Sequence, residues 1–204
     1  MKKVYFILLF LLFTAVGVWA QPGLDELTKD KYVYKFNLQA DYLPPTRFNN
    51  QIKTVSLHAL LWKKRFVQNY VLLSAGITAT YAWGYSEQDK NVGDTMTLIY
   101  IYRTSAFGLG PIIQIEPTIV RYKRFSLVGE ASGGIILYSN KFPYGGDYYN
   151  FMFRMGPSIS WEITPYNYFK IGYRWMHVSN GKGYGNQNPF YEAQGIGIGF
   201  VRMF

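Results

Sequence analysis

A chain of 204 residues with no cysteine, carrying 21 Lys and Arg against 12 Asp and Glu, is one domain or at most two small ones. It excludes a disulfide scaffold, a zinc–thiolate site and a cysteine nucleophile. Aromatic residues make up 19% of it and charged residues only 16%, against roughly 25% charged in an ordinary soluble domain. A mean hydropathy of −0.05 argues against a bundle of transmembrane helices and for strands that are apolar on one side and polar on the other.

Residues 1–20 read as a secretory signal peptide. Lys2 and Lys3 form a basic start, residues 4–18 carry no charge, and Val18-Trp19-Ala20 places acceptably small residues at the two positions that govern cleavage. The apolar run falls short of the ~20 residues a spanning helix needs. Removing the leader takes away two lysines and no acid, so the formal charge goes from +9 to +7. A basic exported chain suits anionic lipid or polysaccharide. No clustered Lys/Arg stripe points to nucleic acid.

From residue 32 onward the recurring period is two. It appears over residues 32–42, 55–61, 71–81, 113–119, 125–137, 151–161, 169–175 and 196–200. In the first segment Tyr34, Phe36, Leu38, Ala40 and Tyr42 alternate with Lys35, Asn37, Gln39 and Asp41, and the later ones follow the same rule. Eight such strands share residues 21–204 at about 23 residues each, connection included. That suits a small transmembrane barrel, whose strands need about 9–11 residues to cross the hydrocarbon. Short polar turns fall near residues 63–65, 122–124 and 165–167. Long connections fall near 44–50, 87–94 (running on toward 105), 140–148 and 181–190. Short turns on one rim and long loops on the other is the outer-membrane pattern. Residues 96–103 fit this scheme least well: they either lengthen the third or fourth strand above the membrane or pair separately. The predicted fold is thus all-β, an eight-stranded antiparallel transmembrane barrel over residues 21–204.

The apolar face is expected outside, because eight strands enclose only enough space for side chains. The polar face carries Lys35, Asp41, Glu116, Glu130, Arg154, Glu162, Lys170 and Arg174, four bases and four acids that can neutralise one another. Glu116, Glu130 and Glu162 are expected to pair with Arg154, Arg174 and Lys170. In lipid each charge would cost up to several kcal/mol at mid-depth. The opposite assignment, a soluble lipocalin-like barrel, conflicts with the aromatic girdle formed by Tyr32, Tyr34, Tyr42, Tyr81, Trp83, Trp161, Tyr173 and Trp175 near strand ends. His58 has inward parity and reads as an interior hydrogen-bonding residue. No metal-ligand spacing is present.

The segment that carries chemistry runs from residue 173 to 194 and contains His177, Ser179, Asn180, Asn188 and Glu192. A serine hydrolase needs a nucleophile, a base and an acid that orients the base. Odd positions of the seventh strand and even positions of the eighth carry the apolar face. His177, Ser179 and Glu192 therefore interrupt that face at the long-loop rim, where a hydrolase acting on a lipid beside the barrel would need them. His177 and Glu192 can sit side by side across the hairpin. Ser179 lies about 6.5–7 Å along from His177, so contact needs a bend, which Gly181, Gly183 and Gly185 permit. The alternative is that His177 is interfacial, Ser179 ends a strand, and Asn-Gly and Asn-Pro punctuate a loop.

His177-x-Ser179-Asn180, a Gly-rich loop with Asn188-Pro189, and then Glu192 resemble the signature of PagL-type lipid A 3-O-deacylases. The resemblance implies an outer-membrane barrel with a Ser-His-Glu triad on its outer surface near the outer leaflet. Ser179 would be the nucleophile, His177 the general base and Glu192 the acid that orients it. Asn188 matches the family's oxyanion-hole asparagine, with backbone N–H groups at Asn180 and Gly181 as further donors. The implied substrate is lipid A or lipopolysaccharide, with outer-membrane lipid as the surroundings and no metal, cofactor or nucleic acid. Here the Ser–Glu spacing is longer by about one residue, near residues 182–185, and Phe190 follows Pro189 where the family has glycine. The rival classes are a noncatalytic small barrel serving adhesion or membrane stability, and a phospholipase or acyltransferase barrel.

Overall fold

The structure, a computed structural model, describes residues 35–46, 50–62, 65–66, 71–92, 96–181 and 189–204. The leader at 1–20 and the girdle residues Tyr32 and Tyr34 lie outside the described residues.

The strands are β1 (Lys35–Leu43), β2 (Asn50–Trp62), the two-residue β3 (Arg65–Phe66), β4 (Val71–Val92), β5 (Met96–Tyr122), β6 (Phe125–Phe142), β7 (Asp147–Thr164), β8 (Asn167–Ser179) and β9 (Phe190–Met203). Each long strand pairs antiparallel with its sequence neighbour. β1 also pairs with β9, and β2 with β4, so eight strands close into a ring with no free edge. β3 pairs only with the start of β4. The barrel predicted from alternation is the barrel observed, because closure satisfies every strand's backbone within the sheet.

The apolar side chains point outward. Leu57, Ile115 and Ile198 are 50%, 48% and 48% exposed, values that a barrel with its apolar core inside would not allow. Tyr42, Tyr81, Trp161 and Tyr173 are exposed on the same surface. The short-turn rim is made by tight turns at Lys123 and Tyr166, with φ of 51° and 89°.

Residues 87–92, expected in a long loop, belong to a strand. β4 continues to Val92 and β5 begins at Met96, and the two stay in register from Val71↔Pro117 to Val92↔Met96. Residues 96–103 therefore lengthen the fourth barrel strand, the first of the two placements weighed above. Beyond the membrane both faces of a hairpin can be polar, so the alternation that marks the lower strand fades while the ladder persists. The connection at 140–148 also shortens, to a turn between Phe142 and Asp147.

Seven of the eight expected interior charges are buried. Arg154 Nε donates to Asp41 Oδ2 at 2.5 Å, and Arg154 Nη2 donates to Gln39 Oε1 at 2.6 Å. Lys35 and Lys170 each lie 3.0 Å from the Glu116 carboxylate, and Lys170 and Arg174 lie 2.6 and 2.8 Å from that of Glu130. His58 faces inward as expected, its Nε2 3.2 Å from Asp41 Oδ2. Glu162 is the correction: it sits near the short-turn rim and pairs with Arg121 at 3.2 Å, because β7 has by then climbed out of the lumen. Glycines at inward positions make room for this network. A Cβ at Gly197 would meet Arg174 Cγ at 3.1 Å, and one at Gly199 would meet Gln39 Cγ at 3.2 Å.

Asp41→Asn is expected to lower stability by about 3 kcal/mol, since removing one partner leaves a buried guanidinium without its counter-charge. Unfolding in urea with the protein in detergent micelles reads this. An unchanged midpoint would mean that the lumen solvates Arg154 without Asp41.

Candidate active site

The candidate residues lie at the end of the β8–β9 hairpin, on the rim opposite the tight turns. The ladder sets His177 directly against Glu192 and Ser179 against Phe190, while β7 sets Phe153 beside His177 and Phe151 beside Ser179. Parity then does the rest. Met176, Val178, Tyr191 and Ala193 point inward and are buried, so His177, Ser179 and Glu192 emerge together on the outer surface.

His177 Nδ1 is 3.1 Å from Glu192 Oε1. The pair is partly shielded, with side-chain exposures of 33% and 19%. Two aromatic rings bracket the imidazole: Trp175 at 6.1 Å and Phe190 at 5.4 Å between centroids, tilted by 29° and 25°. With Nδ1 engaged by the carboxylate, Nε2 is the nitrogen left for a reacting group.

Glu192 is braced from behind. Thr46 N and Thr46 Oγ1 both donate to the Glu192 carbonyl, at 3.0 and 3.2 Å. Asn50 Nδ2 donates to the Phe190 carbonyl at 2.6 Å, and Gln194 N to the Pro44 carbonyl at 2.9 Å. The connection after β1, read from sequence only as a long loop, thus extends the ladder along β9. Inside, the Tyr191 hydroxyl meets that of Tyr138 at 2.6 Å, and Phe142 packs edge-on against Tyr191 at 5.7 Å. Anchoring Tyr191 inward fixes Glu192 outward.

Ser179 stays in the ladder, paired with both Phe151 and Phe190. The expected bend follows it, at Gly181, whose φ is +72°. Among the described residues no hydrogen bond joins Ser179 to His177. The Asn180 side chain turns inward and is buried, its Nδ2 donating to Asp147 Oδ2 at 3.2 Å. The Asn180 side chain is therefore not available on the outer face. Asn188, Gly183 and Gly185 lie outside the described residues. Among the described residues no group of three His, Asp or Glu that would hold a metal ion occurs.

Sequence reasoning also missed a polar pair on the outer face. Tyr173 Oη donates to Gln194 Oε1 at 2.7 Å, a diagonal contact two to four ladder rows from His177–Glu192 toward the barrel's middle. Its only sequence signal is that Gln194 breaks the apolar parity of the last strand.

A closed eight-stranded barrel, apolar outside and charged within, with a His–carboxylate pair on its outer surface, is a protein of the outer-membrane type. The family model described as lipid A 3-O-deacylase (PagL) matches residues 55–200. The chain belongs to this family and is a carboxylic ester hydrolase. Among solved structures, the crystal structure of the outer membrane enzyme PagL superposes with a TM-score of 0.50 at 16% identity, covering 81% of this chain and 98% of that one. At that identity the likeness speaks for the fold. No curated protein matches the chain.

Proposed function

We propose that the protein deacylates lipid A at the outer leaflet with a Ser179–His177–Glu192 triad that faces the lipid. The observation that carries this reading is the 3.1 Å contact of His177 Nδ1 with Glu192, with Ser179 on the same outward face two residues on. Residues 1–20 direct export, and the apolar outer belt sets the depth of the site. A lipid A molecule then lies alongside the barrel with its ester beside β8.

Ser179 Oγ attacks the ester carbonyl and its proton passes to His177 Nε2. Glu192 holds the imidazole by Nδ1 and offsets the charge that develops on the ring. The carbonyl oxygen becomes an oxyanion, held by Asn188 and by backbone N–H groups of Asn180 and Gly181, each donor of this kind being worth about 3–4 kcal/mol. Collapse expels the sugar oxygen, which takes the proton from His177. Water, deprotonated by the same base, then releases the fatty acid from Ser179. Bringing Oγ to Nε2 needs the strand end to bend, which Gly181 permits, a tightening expected on substrate binding.

Mass spectrometry of lipid A from cells with and without the protein tests the reading. The expected result is loss of one ester-linked acyl chain only when the protein is present. Unaltered lipid A, with the protein folded in the outer membrane, would overturn it.

A further inference from the structure

On the side of the barrel away from His177–Glu192, the outer surface carries a second concentration of polar groups that hydrolysis does not use. Around the ring, β4 is three strands from β9 one way and four from β8 the other. It rises to the same rim as the candidate triad. Its outward side chains Tyr81, Trp83 and Tyr85 form an aromatic column, with Tyr81 and Trp83 stacked at 5.4 Å. The ladder sets Lys53 of β2 and Ser105 of β5 on either side of Trp83, and Arg103 of β5 beside Tyr85. The Arg103 guanidinium lies over the Tyr85 ring, 5.9 Å from its centroid. Trp83, Tyr85, Arg103 and Ser105 line a shallow cavity of about 400 Å³. Toward the short-turn rim the next rows are apolar: Val55, Tyr81 and Phe107, then Leu57, Ala79 and Leu109.

Cations and aromatic rings share one level here with apolar rows below them, as a phosphorylated glycolipid sets its phosphates and sugars above its acyl chains. Lys53 and Arg103 stand two strand spacings apart across the sheet and two residues apart along it, about 12 Å between backbones, a gap that their two long side chains can close on one anion above β4. Neither takes part in an ion pair among the side chains that the structure describes. Arg offers parallel N–H groups to a phosphate, and Lys adds a mobile point charge. Aromatic faces accept the apolar faces of sugar rings, and the alternating Leu and Ala rows accept acyl chains. A bare aromatic girdle needs neither the guanidinium at this cavity nor the lysine beside it.

We propose that this face binds one intact lipid A molecule through a phosphate, as a retained neighbour rather than as substrate. Its ester lies on the far side of the barrel from Ser179 and cannot be cleaved there. The assignment does not depend on which residues form the triad.

The test uses the full chain in detergent micelles and native mass spectrometry. Retention of bisphosphorylated lipid A, dephosphorylated lipid A and phosphatidylglycerol is compared in the presence and absence of the paired substitutions Lys53→Gln and Arg103→Gln. Both chains carry Ser179→Ala for the retention measurement, and turnover is followed separately with Ser179 intact. The paired substitution is expected to weaken retention of the bisphosphorylated lipid by about tenfold, the effect of losing charge-assisted bonds. Turnover should stay within about twofold, as for independent distant sites. Dephosphorylated lipid A should bind the unsubstituted face no better than the substituted one. Equal retention by both proteins would overturn the proposal. So would equal retention of phosphatidylglycerol, which would mark a general anionic-lipid contact, or turnover falling in step with retention, which would place the two cations on the substrate path.

Discussion

Ser179→Ala is expected to abolish deacylation of lipid A while the barrel still assembles. Removing the nucleophile of a serine hydrolase costs roughly four to six decades in kcat, because base and acid then have nothing to activate. The structural cost should be small. Ser179 is half-buried at the end of β8, its backbone pairs with β7 and β9 whatever its side chain, and among the described residues its hydroxyl holds no partner. A change in stability within about 0.5 kcal/mol follows. Lipid A mass spectrometry gives the activity, and heat-dependent migration of the folded barrel gives the assembly. Full activity in the variant would remove Ser179 from the mechanism and return the segment to the alternative of an interfacial histidine beside an ordinary strand end.

Glu192→Gln should harm turnover far more than binding. The carboxylate contacts His177 Nδ1, and its expected work is to fix the tautomer and stabilise the imidazolium of the transition state. Glutamine keeps the shape, loses the charge and can hold the wrong tautomer. Since the interaction is strongest in the transition state, kcat should fall by roughly two to four decades with KM nearly constant. The bracing of the Glu192 backbone by Thr46 argues that the substitution leaves the strand in place, so a rate loss would report chemistry rather than misfolding. Unchanged turnover with a raised KM would make Glu192 a substrate contact.

The sequence was most readable where lipid and lumen impose opposite demands on neighbouring residues. There the period-two pattern assigned Leu57, Ile115 and Ile198 outward and His58, Arg154 and Lys170 inward, as the structure has them. It failed where those demands cease. Above the belt the β4–β5 hairpin continues through residues that alternation marks only as loop, and near the short-turn rim Glu162 leaves the lumen for Arg121. The candidate site was legible as far as parity reaches: His177 and Glu192 meet because one lies opposite the other in register. What parity cannot show is contact across distant segments. Thr46 on Glu192, Asp147 on Asn180 and Tyr138 on Tyr191 join residues 146, 33 and 53 positions apart, and no local pattern announces them. Tyr173–Gln194 is nearer, yet glutamine at an outward position gave only a break in the pattern, not its partner.

The filled lumen has a consequence for the cell that carries this protein. Arg154, Arg174, Lys170 and their acids occupy the axis together with Leu60, Ile112, Ile136 and Met176. Wider barrels leave a column of water along that axis, whereas eight strands close on their own side chains. A barrel filled in this way offers no broad aqueous path. Copies are expected to accumulate without admitting solutes along the axis. Whatever the protein does to the membrane it does laterally, through the lipids pressed against its sides.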